Sequence, residues 1–156
     1  MAHDLNINPN LNREEKYPLI LQQAEALVKD EPNLIANMAN IAALIKESLQ
    51  FHWVGFYIVE GDELVLGPFQ GPVACTRIKI PKGVCGACVE RKEAVLVPDV
   101  DKFDGHIACS SLSRSELVLP KIVDGTVKFI LDIDSSELED FSKLDINYFN
   151  SILRFL

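Results

Sequence analysis

Apolar positions recur at helical spacing before any other pattern forms. Between Arg13 and Lys29 they fall at Tyr17, Leu21, Ala24 and Val28, with Glu14 and Glu15 favourably placed in the first turn, which predicts an amphipathic helix. Glu31-Pro32 breaks the chain, and Leu34, Met38, Ile41, Leu44, Ile45 and Leu49 then mark a second helix. At Trp53 the period shortens to two. Trp53 to Val59 is rich in aromatic and β-branched residues, and Glu60-Gly61-Asp62 predicts a hairpin turn into a strand from Glu63 to Leu66. Alternation puts Val54, Phe56 and Ile58 on a core face and Trp53, Gly55 and Tyr57 on the other, where a glycine between two large aromatics leaves a notch. For Trp53 and Tyr57, the pattern by itself favours plain packing over a ligand wall.

Beyond the hairpin the punctuation becomes denser. Gly67 to Pro72 reads as a loop, Val73 to Ile80 as a strand, Val84 to about Lys92 as a short helix, and Ala94 to Val97 as a strand. Pro98 to Ser115 follows as a loop of about 18 residues, a length that in a compact domain usually serves a function. Leu117 to Val123 and Thr126 to Ile133 predict a hairpin through Asp124-Gly125, and a closing helix begins at Glu137. Two helices, then mostly antiparallel strands, then a last helix predict an α+β fold. Its N- and C-terminal helices pack on one face of a central sheet, and a ligand pocket lies under loops on the other. Residues 1 to 12, polar and rich in asparagine, read as a flexible N-terminal arm, and 13 to 156 as one domain.

Charge narrows the function classes. With 15 basic against 23 acidic residues the net charge is −8, which repels phosphate backbones and argues against nucleic acid. No apolar run approaches the roughly 18 to 20 residues that cross a bilayer, and the polar start at Met1 is unlike a signal peptide, so a cytoplasmic protein without a membrane partner is expected. In that reducing setting the four cysteines, all between Cys75 and Cys109, point to redox or metal chemistry more than to a structural framework. Cys85-x-x-Cys88 has metal-like spacing. Only one such pair exists, however, so a four-thiolate zinc site is the minor reading and no metal is expected.

Cys109 differs from the other thiols. It sits in the long loop three residues after His106 and near Arg114, a setting that favours the nucleophilic thiolate. Cys88, between Ala87 and Val89, fits an inert small hydrophobe. Glu116, Asp132 and Asp134 supply carboxylates. Asp132 and Asp134 share one face of an otherwise apolar strand, where burial is unfavourable unless a ligand or partner compensates. His3 and His52 have no such company and read as structural, and a catalytic role for His106 is the minor reading.

The blocks Trp53-Val54-Gly55-Phe56-Tyr57, Gly67-Pro68-Phe69-Gln70-Gly71, Val73-Ala74-Cys75, Gly83-Val84-Cys85-Gly86, Val97-Pro98-Asp99-Val100, Gly105-His106-Ile107-Ala108-Cys109, Ser113-Arg114-Ser115-Glu116 and Leu131-Asp132-Ile133-Asp134-Ser135 closely resemble the free methionine-(R)-sulfoxide reductases, which are built on a GAF domain. The likeness runs from about residue 13 to the C-terminus. It departs at Cys88, where the family commonly has a small residue without a thiol, and at Pro81, which replaces a glycine.

The resemblance implies reduction of free methionine-(R)-sulfoxide. Cys109 would be the nucleophile and Cys75 or Cys85 the resolving thiol that closes an intramolecular disulfide. No bound cofactor is implied, and reducing equivalents would come from thioredoxin. Trp53, Tyr57, Glu116, Asp132 and Asp134 would bind substrate, with Glu116 and Asp134 as candidate proton donors. A homodimer is a further possibility by analogy with GAF domains. The alternative class is a GAF sensor module that binds a small molecule without turnover.

Overall fold

The computed structural model describes residues 7–107 and 109–156. The first half of the expected arm, residues 1–6, and Ala108 of the long loop lie outside the described residues. Helix α1 (Arg13–Val28) opens on a capping box in which Asn12 accepts from the Glu15 amide and Glu15 returns the bond to the Asn12 amide. Helix α2 (Leu34–Leu49) is capped by Asn33 and stops at Gln50 in the left-handed region. Strands β1 (Trp53–Glu60) and β2 (Glu63–Gln70) form the expected hairpin, followed by β3 (Arg77–Lys79), α3 (Gly83–Arg91) and β4 (Val95–Val97). A 3-10 turn at Val100–Lys102 interrupts the long loop before β5 (Ser115–Val123), β6 (Thr126–Ser135) and α4 (Lys143–Leu153).

The strands make one six-stranded sheet in the order β3-β2-β1-β6-β5-β4, antiparallel at every pairing. The alternation read from the sequence sorts its two faces. Val54, Phe56, Leu117, Leu119, Leu131 and Ile133 join Tyr17, Ile20, Met38, Ile41, Phe149 and Ile152 in a core beneath α1, α2 and α4. Trp53, Tyr57, Val118 and Ile130 face the other way and pack with Val84, Cys85 and Cys88 of α3. The second face is therefore roofed by one short helix and by loops, and the pocket lies there.

Several element boundaries differ from expectation, and three of them have a clear local reason. β2 continues through Gly67-Pro68 to Gln70 because a bulge places the extra residue there: Leu66 pairs with Tyr57 and Phe69 with Gly55. A proline without an N–H is tolerated where the ladder skips. β3 is only three residues long, since the chain from Gly71 to Cys75 is drawn off the sheet edge. Trp53 Nε1 donates to the Pro72 carbonyl at 3.1 Å and Tyr57 Oη to the Cys75 carbonyl at 2.8 Å. The last helix starts at Lys143 rather than Glu137, set by a Ser142–Asp145 capping box.

Candidate active site

The site is built across three strands by register. β1 sets Trp53 opposite Asp134 and Gly55 opposite Asp132. β5 sets Glu116 opposite Asp134 and Val118 opposite Asp132. Side chains opposite one another across antiparallel strands share a face, so one row carries Trp53, Asp134 and Glu116, and the next carries Gly55, Asp132 and Val118. β5 begins at Ser115, earlier than the Leu117 expected from the sequence, and this places Glu116 on the strand instead of in the loop. Gly55 is required by the packing. A Cβ there would run into the Trp53 ring and lie 2.5 Å from Phe69 Cβ, so glycine is what allows Trp53 to stack on Phe69 (5.4 Å between centroids) and on Tyr57 (6.0 Å).

Over this floor stand two loops and the start of α3. The pocket is lined by Trp53, Tyr57, Val73, Ala74, Ile78, Gly83, Val84, Cys85, His106, Ile107, Cys109, Ser110, Ser113, Glu116, Asp132 and Asp134. Every site residue expected from the sequence except Cys75 thus lines one cavity, and Cys75 is joined to it by a disulfide to Cys109 with the Cα atoms 5.5 Å apart. That bond ties the loop after β2 to the loop before β5 at the pocket rim, with both cysteines half-buried. Cys85 and Cys88 are free thiols. The four sulfurs do not form a four-thiolate cluster, because two of them are bonded to each other.

Burial dominates the electrostatics. Glu116 and Asp132 are 5% and 6% exposed, and desolvation pushes both carboxyls well above the usual range, with the charge of Asp134 adding to the effect. Asp134 is raised to about 6, again by burial, against the lowering effects of a Ser113 hydrogen bond and the nearby His106. Cys85 Sγ donates to Asp132 Oδ2 at 3.4 Å and to Glu116 Oε1 at 3.8 Å. It lies in the first turn of α3, where the helix dipole favours a thiolate, yet burial and the carboxylates of Asp132 and Glu116 raise its pKa far above that of a free thiol. The neutral thiol wins. Burial likewise raises Cys88.

Two histidines bear on the site. His106 Nε2 comes within 3.6 Å of Glu116 Oε2, inside the pocket. His52 Nε2 meets Ser110 Oγ at 2.9 Å and so braces the loop that carries Cys109. The three-residue spacing of His106 and Cys109 hinted at the first. Nothing local to His52 signalled the second, which arises only when β1 folds under the loop.

Residues 33–156 match the GAF domain family. The chain is 44% identical over 136 residues to the free methionine-R-sulfoxide reductase of Escherichia coli, an alignment covering 86% of this chain and 82% of that protein. It belongs to the free methionine-R-sulfoxide reductase family. Another relative is the GAF domain-containing protein A of Dictyostelium discoideum, 50% identical over 157 residues that cover 100% of this chain and 99% of that protein. Among solved structures, the X-ray structure of the free methionine-R-sulfoxide reductase from Neisseria meningitidis in complex with its substrate superposes with a TM-score of 0.95 at 45% identity, covering 99% of this chain and 93% of that one.

Proposed function

We propose that this chain reduces free methionine-(R)-sulfoxide to methionine, with Cys109 as nucleophile and Cys75 as the thiol that resolves it. The single observation that carries the reading is the Cys75–Cys109 bond at the rim of a pocket floored by the buried Glu116 and Asp132 carboxyls with half-buried Asp134 beside them. Membership of the family and the substrate complex of the Neisseria meningitidis relative support the choice of substrate. In the first half-reaction the Cys109 thiolate attacks the sulfoxide sulfur, the oxygen takes a proton and passes to Cys109, and methionine leaves with a sulfenic acid behind it. The sulfoxide oxygen must be protonated in this step, and a cluster whose carboxyls bind protons far above their usual range supplies that proton from Glu116 or Asp134. The other carboxyl groups, Asp132 among them, receive the substrate ammonium, while the Trp53 and Tyr57 rings wall the cavity.

In the second half-reaction the Cys75 thiolate attacks Cys109 Sγ, the S–O bond breaks, and the departing hydroxide takes a proton and leaves as water while the disulfide forms. A protein dithiol such as thioredoxin then returns two electrons. Cys85 is the poorer resolving thiol: it is buried on the pocket floor, donates to two carboxyl groups, and its raised pKa leaves little thiolate.

Single-turnover experiments test the assignment. Reduced Cys109→Ser should yield no methionine, whereas Cys75→Ser should yield one equivalent and a sulfenic acid that a carbon nucleophile such as dimedone labels at Cys109. Methionine formation by Cys109→Ser, or dimedone labelling at Cys85 instead, would overturn it.

A further inference from the structure

We propose that the pocket floor is also a binding site for a thiophilic divalent cation of the Zn2+ class, with Cys85, Glu116 and Asp132 as its ligands. One ligand atom from each of the three lies within 4.8 Å of the others, and all three residues are buried. The spacing suits a tetrahedral ion. With about 2.3 Å to sulfur and about 2.0 Å to oxygen, the sulfur-to-oxygen edge of such a site is about 3.5 Å. Cys85 Sγ lies 3.4 Å from Asp132 Oδ2 and 3.8 Å from Glu116 Oε1. A second feature points the same way: apart from the neighbouring Glu116 carboxyl, Asp132 Oδ1 is buried with no N–H, hydroxyl or thiol donor among the described residues, on a residue 6% exposed. A cation beside this carboxylate would offset that deficit, while the thiolate selects a zinc-like ion over magnesium or calcium.

The surroundings favour a cation as well. Among the described residues no lysine or arginine lines the pocket, and the one basic side chain that does, His106, stands 3.6 Å from Glu116 Oε2 at the edge of the donor set. Binding takes Cys85 as thiolate and the carboxyls as carboxylates, so the thiol proton and those held by the cluster go to solvent. Affinity must therefore rise with pH. Under the reductase reading the ion occupies two of the three carboxyl groups that receive the substrate ammonium. Cation and substrate then exclude each other, and a rise in free zinc would switch the enzyme off. This regulatory consequence rests on the proposed function, whereas the site itself does not.

The oxidised chain offers a clean test, because the disulfide removes Cys75 and Cys109 as competing thiolates. Under anaerobic conditions Co2+ should produce a thiolate-to-cobalt charge-transfer band at one equivalent, stronger at higher pH and displaced by one equivalent of Zn2+. Cys88→Ala should keep the band and Cys85→Ser should lose it, while Asp132→Asn should weaken affinity by at least about tenfold. Absence of the band in the parent chain, its persistence in Cys85→Ser, or unchanged affinity in Asp132→Asn would overturn the proposal. If Cys85→Ser fails to fold, Asp132→Asn and the pH dependence of the parent chain decide. A cobalt band in a chain that never turns over sulfoxide would sink the reductase reading alone. Full turnover with no band would sink the cation site alone.

Discussion

Asp134 is the residue whose chemistry is most exposed to measurement. Its carboxyl is raised to about 6 from an ordinary value of 3.8, chiefly by burial, so the folded chain holds a proton that the unfolded chain has released between those two pH values. Stability therefore falls as pH rises through that window. Replacing the group with a neutral isostere should remove the loss, and Asp134→Asn should stabilise the fold at pH 8 by about 1–3 kcal/mol, fading below pH 4, while turnover drops. Urea unfolding at the two pH values checks this; equal stability of both proteins at pH 8 would contradict it. Strand parity made part of this cluster legible in advance, since Asp132 and Asp134 had to share a face. The protonation of Cys85 was not legible. A place in a helix first turn by itself would favour a thiolate, and only the strands beneath reveal the two carboxyls that reverse it.

Strand β1 is the element on which the pocket depends. The notch at Gly55 was readable from alternation alone, and so were the hairpin turn and the face that Trp53 and Tyr57 share. What those aromatic tips do was not readable: they hold the Pro72 and Cys75 carbonyls, and so pull the disulfide-bearing loop off the sheet edge. That outcome depends on a bulge in β2 that a Gly-Pro pair resembled a loop closely enough to hide. Gly55→Ala tests the arrangement. Its Cβ would displace the Trp53 ring, so stability should fall by about 1–3 kcal/mol and KM for the sulfoxide should rise. An unchanged KM would show that Trp53 does not wall the substrate site.

Across the whole molecule, the sheet separates a structural side from a chemical one. On the helical side Arg13 bonds Asp140 Oδ1 at 2.7 Å and lies 3.4 Å from Asp145 Oδ1, while Tyr17 donates to Asp145 and stacks on Tyr148 at 4.4 Å. This clasp joins α1 to α4 and was invisible in sequence, because its members lie more than a hundred residues apart. Tyr17→Phe should cost about 1–3 kcal/mol of stability by leaving Asp145 short of a donor, with kcat unchanged because the sheet lies between the clasp and the pocket. The order of strands and helices was legible from periodicity. The register that aligns Glu116, Asp134 and Trp53 came only with the fold. The proposed reaction has a direct test in NADPH consumption by the purified chain with thioredoxin and thioredoxin reductase. It predicts steady oxidation on adding the R epimer of free methionine sulfoxide and none with the S epimer; turnover of both epimers, or of neither, would contradict it.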